Sequence, residues 1–236
     1  MQHAKTHKGG AVIRVARRAL FILVTALLAL STVYAAICFL VAGETDEKSN
    51  FLLMLTQCAL GIIGMLLPRA IERHLHFAIP DTIVLLYFAF IFMAIFLGEV
   101  LCFYYTIPLW DSVLHTASSA MLTILGAHIV DLLYKNNATR GHINPILLCL
   151  FAFCFALSVG ALWEIYEFSF DNLLGLNMQK FRTESGEALI GNAALFDTMK
   201  DIIIDTLAAA LTTAIIYIKD RRKDAANGNQ RGQKAG

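Results

Sequence analysis

Three short stretches of this chain set carboxylates and an imidazole at helical spacing. Asp111 and His115 are four residues apart in WDSVLH, Glu164 and Glu167 are three apart in WEIYE, and Asp197, Asp201 and Asp205 recur every fourth residue in DTMKDIIID. Residues three or four apart share one side of a helix. Carboxylates that close together hold a cation between them or share a proton, because two bare like charges repel. Mixed carboxylate and imidazole donors suit Mn²⁺ or Zn²⁺, and Mg²⁺ where the imidazole stays outside the inner sphere. The candidate metal ligands are therefore Asp111, His115, Glu164, Glu167, Asp197 and Asp201. Glu164 and Glu167 are also the candidate catalytic bases toward a metal-activated water.

The elements that must position these groups are membrane helices. Of the 236 residues, 58% are hydrophobic, and the mean hydropathy is +0.64. Ordinary soluble domains hold roughly 45–50% apolar residues. Apolar runs occur at 19–42, 51–67, 83–106, 112–134, 145–168 and 196–218, each near the ~20 residues that cross ~30 Å of hydrocarbon. The expectation is an all-α, polytopic helical bundle with six transmembrane helices. The first run, though preceded by Arg14, Arg17 and Arg18, is too long for a signal peptide and is expected to stay as an anchor. The five cysteines lie in apolar runs with no CxxC spacing and are expected to be packing residues.

Topology follows from the basic residues. The segment before span one, the loops after spans two and four, and the tail after span six carry fifteen of the nineteen Lys and Arg. The positive-inside rule then places both termini in the cytoplasm. The expected organisation is a basic cytoplasmic segment at 1–18, a six-span domain at 19–218, and a basic, disordered cytoplasmic tail at 219–236. A basic tail of this kind sets topology, and no nucleic-acid partner is expected. No phosphate-binding glycine loop or GxSxG is present, and the sequon Asn137-Ala138-Thr139 falls in an expected cytoplasmic loop.

With that orientation, Glu99, Asp111, His115, Glu164, Glu167 and the three aspartates of span six all fall toward the outer side. At 100° per residue, Asp197, Asp201, Asp205, Ala208 and Thr212 share an arc of about 80°. Asp111, His115, Ser118, Ser119 and Gly126 form a similar stripe on span four, as do Ala156, Gly160, Glu164 and Glu167 on span five. Small residues let membrane helices approach closely, so these faces are expected to meet. A charge costs ~2.5–3.5 kcal/mol at mid-bilayer, so four unpaired carboxylates would rival the ~5–15 kcal/mol stability of a fold. Lys200 points about 60–100° off the aspartate stripe, so the compensating charge is expected from a metal ion, protons, a cationic substrate or water. Elsewhere, Ser118 is expected to be a packing serine, His74 and His76 to be solvated, and the His128/Asp131 pair faces away from His115.

The succession WDSVLH, WEIYE, DTMKDIIID resembles the YjdF-like family of bacterial inner-membrane proteins, over roughly residues 80–218. More distantly it is similar to the VanZ-like family, in which Asp111, His115, Glu164 and Asp197 or Asp201 would hold the corresponding places. Ser112 stands where a lysine is usual there, and Glu167 where a glutamine is. The resemblance implies a multi-pass protein of the bacterial cytoplasmic membrane. VanZ-like proteins are associated with glycopeptide resistance and cell-envelope phenotypes.

The first functional expectation is an outward-facing divalent-metal site, with the lipid bilayer and a lipid-linked envelope substrate as partners and metal-dependent hydrolysis as the reaction. A proton- or cation-coupled transporter, with the aspartate ladder as relay, is a second class. A non-catalytic scaffold whose buried acids lock helices together is a third.

Overall fold

Each apolar run folds as a helix, because a backbone in lipid has to satisfy its own hydrogen bonds. The computed structural model describes residues 2–43, 45–75, 78–135, 144–183 and 185–234. The sequon at 137–139 and His76 lie outside the described residues. The helices are α1 (Gln2–Val41), α2 (Thr45–Leu75), α3 (Asp81–Ile91), α4 (Phe103–Thr106), α5 (Trp110–Lys135), α6 (Pro145–Leu174) and α7 (Asn192–Lys234), with a π-helical segment, Phe92–Val100, continuing α3. Among the described residues, six stretches are long and apolar enough to cross a membrane: Gly10–Val41, Glu47–His74, Asp81–Val100, Trp110–Tyr134, Pro145–Leu174 and Asn192–Arg222. The protein is thus an all-α chain with six candidate transmembrane helices.

Local chemistry sets several helix ends. Asn144 accepts the backbone N–H of Ile146 at 2.9 Å, and Pro145 occupies the first helical position of α6, where its missing N–H costs nothing. Gly175, at φ +70°, follows the last residue of α6 in the left-handed conformation that favours glycine. The third span stops at Val100 rather than 106. There Cys102 takes φ 59° with neither glycine nor proline to announce the turn. The backbone of α7 runs helical to Lys234, through the stretch expected to be disordered, whose KDAANGNQRGQK segment offers no large apolar side chain to pack.

The chain divides into two units. Unit one comprises Met1–Leu114 and Glu167–Glu187. Val24 and Leu28 of α1, Cys58 and Met65 of α2, Val84 and Phe88 of α3, and Ile95 form its core. Pro68 sits inside α2 and cannot donate to the carbonyl of Gly64, four residues earlier. Tyr87 of α3 donates its hydroxyl to that carbonyl instead, at 2.9 Å. Arg17 of α1 reaches Asp81 at the start of α3 (2.6 Å) and Glu72 near the end of α2 (3.7 Å).

Unit two comprises His115–Tyr166 and Ala188–Gly236, and therefore holds most of α5 and α6 and all of α7. Its helices meet at small residues. A Cβ on Gly126 would lie 3.1 Å from Cα of Ala152, and one on Gly160 would lie 2.5 Å from Oδ2 of Asp205. Ser119 of α5 donates to the Asp205 carbonyl of α7 at 2.7 Å. Ala152, Ala156, Ala208 and Ala209 are buried along these seams, as expected where backbone approach rather than hydrophobic transfer holds membrane helices together.

Candidate functional site

The polar residues of unit two converge where α5, α6 and α7 come closest. The three aspartates of α7 face inward: Asp197, Asp201 and Asp205 are 8%, 1% and 4% exposed. His115, also buried, lies between two of them. Its Nδ1 is 3.4 Å from Oδ2 of Asp205, and its Nε2 is 3.9 Å from Oδ2 of Asp201. Ser119, one turn along α5, fixes the height of Asp205 through the hydrogen bond already described, and Thr123 bonds to the Ser119 carbonyl at 2.8 Å. Ser118 donates to the carbonyl of His115 at 3.0 Å. That hydroxyl is engaged by its own helix, a local role and not a nucleophilic one.

Lys200 lies closer to the aspartates than its helix angle suggests. Its Nζ is 2.8 Å from Asp197 Oδ1 and 3.4 Å from Asp201 Oδ1. The angle locates only Cα and Cβ; a four-carbon arm bridges the remaining arc. Part of the positive charge expected from outside the chain is thus supplied by α7 itself.

Glu164 is the other buried acid in unit two, 5% exposed. Neither of its oxygens makes a well-formed hydrogen bond, although His115, Asp201, the Thr198 hydroxyl and Asp197 lie near enough to interact with it electrostatically. Oδ1 of Asp205 is likewise buried without a hydrogen-bond partner. A buried carboxylate left unpaired is costly, so this cluster has unmet demand for a cation or a proton.

Unit one has acids of its own. Asp111 is held by Lys180 at 2.5 Å, an ion pair returned from the loop that follows α6. Asp171 accepts the backbone N–H groups of Met178 and Gln179 at 2.7 and 3.0 Å and so shapes that loop. Glu99, in the last turn of the π-helical segment, and Glu167 are both buried. The phenol of Tyr104 is pushed well above its usual range by burial and then by the charges of Asp111, Glu99 and Glu167. Of the six candidate ligands, unit two therefore holds His115, Glu164, Asp197 and Asp201, while Asp111 and Glu167 belong to unit one. The ligand set drawn from the sequence omits Asp205 and Lys200. Asp205 already stood in the same four-residue ladder, and Lys200 stood three residues after Asp197, a spacing at which opposite charges on a helix pair.

In unit two Asp205 meets one ring nitrogen of His115, Asp201 lies 3.9 Å from the other, and Glu164 is within electrostatic reach of both His115 and Asp201. That arrangement can orient the imidazole, bind a cation and accept protons. Among known proteins, the chain is similar to an uncharacterized protein of Thermotoga maritima, 29% identical over 157 residues that span 66% of this chain and 73% of that protein. No solved structure matches it. The family described as "Predicted membrane protein (DUF2238)" matches residues 19–222, six-span region and acidic cluster together, and the chain belongs to that family.

Proposed function

We propose that unit two binds a divalent cation on the outer side of a bacterial inner membrane through Nε2 of His115 and carboxylate oxygens of Asp201 and Glu164, in the service of a reaction on a lipid-linked envelope substrate. The observation that carries this reading is the position of His115. Histidines that ligate a metal generally donate their other N–H to a carboxylate, which fixes the tautomer. Asp205 stands at that second nitrogen, leaving Nε2 directed toward Asp201. The 3.9 Å from Nε2 to the Asp201 oxygen is within the roughly 4.2 Å that two bonds of about 2.1 Å can span. Glu164 adds a carboxylate whose oxygens make no well-formed hydrogen bond, and Asp197, neutralised by Lys200, stays outside the inner sphere.

The donor set favours Mn²⁺ or Zn²⁺ over Mg²⁺. A cation there would polarise a phosphoryl oxygen and activate water for hydrolysis. Of the two glutamates weighed as base, Glu164 is the one that belongs to unit two with His115 and Asp201. The likeness to VanZ-like proteins supports an envelope-side role. Metal analysis of protein purified without chelator tests the proposal, comparing the native chain with an Asp201→Asn/Glu164→Gln variant. About one equivalent in the native protein and none in the variant is expected; none in the native protein ends the reading. A scaffold role predicts only a lowered melting temperature for the variant.

The contact of one imidazole with both Asp201 and Asp205 also suits a proton relay. That second reading requires ion flux in proteoliposomes that follows a pH gradient and stops in His115→Gln. A native protein that gives no such flux excludes it.

A further inference from the structure

At the end of unit one opposite Glu99, α1, α2 and α3 line a half-open groove of about 500 Å³. Its polar lining comprises Arg14, Arg17, Arg18, Arg69 and Asp81, four guanidiniums against one carboxylate. Arg17 is committed to Asp81 and Glu72. Arg14, Arg18 and Arg69 make no ion pair among the described residues. The remaining wall is apolar and includes Phe21, Ile22, Leu66 and the buried Met65 and Phe88. Pro68 also lines the groove, at the point where α2 loses a backbone bond and Tyr87 makes up for it.

We propose that this groove holds the headgroup phosphate of an anionic phospholipid of the cytoplasmic leaflet, with the upper part of an acyl chain against the apolar wall. The charge is of the right sign and in excess. Guanidiniums grip phosphate oxygens bidentately, which an ammonium cannot do. The volume falls within the roughly 300–1,000 Å³ of small-molecule sites. The arginines lie at the end of the span that the positive-inside rule assigns to the cytoplasm, where basic pockets between helices meet anionic lipids. A free phosphate would satisfy the guanidiniums but would leave the apolar wall without an occupant.

The test uses the full chain purified in detergent, with phosphatidylglycerol or phosphatidylcholine added in mixed micelles, read by melting temperature and by retained lipid in native mass spectrometry. Phosphatidylglycerol should stabilise the protein and be retained, and phosphatidylcholine should do neither. The variant Arg14→Gln/Arg18→Gln/Arg69→Gln should lose roughly a hundredfold in phosphatidylglycerol affinity, a factor of about five for each cationic contact. The variant Lys219→Gln/Arg221→Gln/Arg222→Gln removes three exposed charges elsewhere and should bind within about twofold of the native chain. Equal loss in the two variants overturns the proposal, since charge alone would then explain binding. Complete competition by millimolar inorganic phosphate overturns it in favour of a free-anion site. Should the arginine variant fail to fold, the native protein decides: equal responses to the two lipids refute a headgroup site.

Discussion

Gly160→Ala separates the orienting role of Asp205 from simple packing. The new Cβ would stand 2.5 Å from Oδ2 of Asp205. Ordinary carbon–oxygen contact begins near ~3.4 Å, so the carboxylate has to retreat by roughly 0.9 Å. It is the far end of a side chain with two torsions, so rotation is available at about 0.5–1.5 kcal/mol. The melting temperature should fall by only about 1–6 °C. The same oxygen lies 3.4 Å from Nδ1 of His115, already at the edge of hydrogen-bonding distance, and no such rotation leaves that contact as it is. Loss of an orienting carboxylate typically weakens metal binding about 10–100-fold. Gly126→Ala is the control. Its Cβ would press on backbone, 3.1 Å from Cα of Ala152, and on Phe155, away from the acids. It should cost about 1–3 kcal/mol of stability and leave metal affinity unchanged. Calorimetric titration with Mn²⁺ or Zn²⁺, beside melts in the same detergent, reads both effects. If Gly160→Ala binds metal like the native chain, or if both variants lose affinity in proportion to stability, Asp205 does not orient His115.

Glu164→Gln removes a buried charge whose oxygens lack hydrogen bonds, so in metal-free protein it should raise stability by about 1–3 kcal/mol while abolishing stabilisation by added metal, both read by thermal melts. Lys200→Met leaves Asp197 and Asp201 without their ammonium. Full burial would make that cost ~3–5 kcal/mol, but the lysine side chain is 27% exposed, so a loss of about 1–3 kcal/mol is expected, largely restored by Lys200→Arg. Lys180→Ala breaks a shorter contact but should cost under ~1 kcal/mol, because the lysine is 40% exposed. Tyr104 is held protonated in the folded state, so the unfolded chain ionises first; stability should fall as pH rises above the ordinary tyrosine value of 10.0. Tyr104→Phe should flatten that alkaline fall in a pH series of melts.

The spans were legible because hydrocarbon thickness fixes how many apolar residues a crossing helix needs, and the inward faces because 3.6-residue periodicity aligns His115 with Ser119 and Asp197 with Asp201 and Asp205. Three features escaped for separate physical reasons. The π-helical turns before Val100 leave no compositional trace. The reversal at Cys102 uses a left-handed residue that is neither glycine nor asparagine. The partners of Asp111 and Asp197 come from lysines whose reach depends on loop path and side-chain torsion, and Lys180 itself stands at φ 50°. Periodicity reports where a side chain leaves its helix, not where its charged end arrives.

That limit changes the charge argument without removing it. Within unit two, Glu164, Asp197, Asp201 and Asp205 face Lys200 and His115, all but the lysine buried. One ammonium leaves three negative charges, and a protonated imidazole would leave two. Protonating Glu164 alone cannot clear the excess while His115 stays neutral. A divalent cation reduces it to one, and does so beside the Glu164 oxygens, which make no well-formed hydrogen bond. If the metal-free protein proves fully stable at neutral pH and gains nothing from any divalent cation, then protons carry the whole balance. In that case the pH-dependence of melting should show more than one group taking up protons on folding.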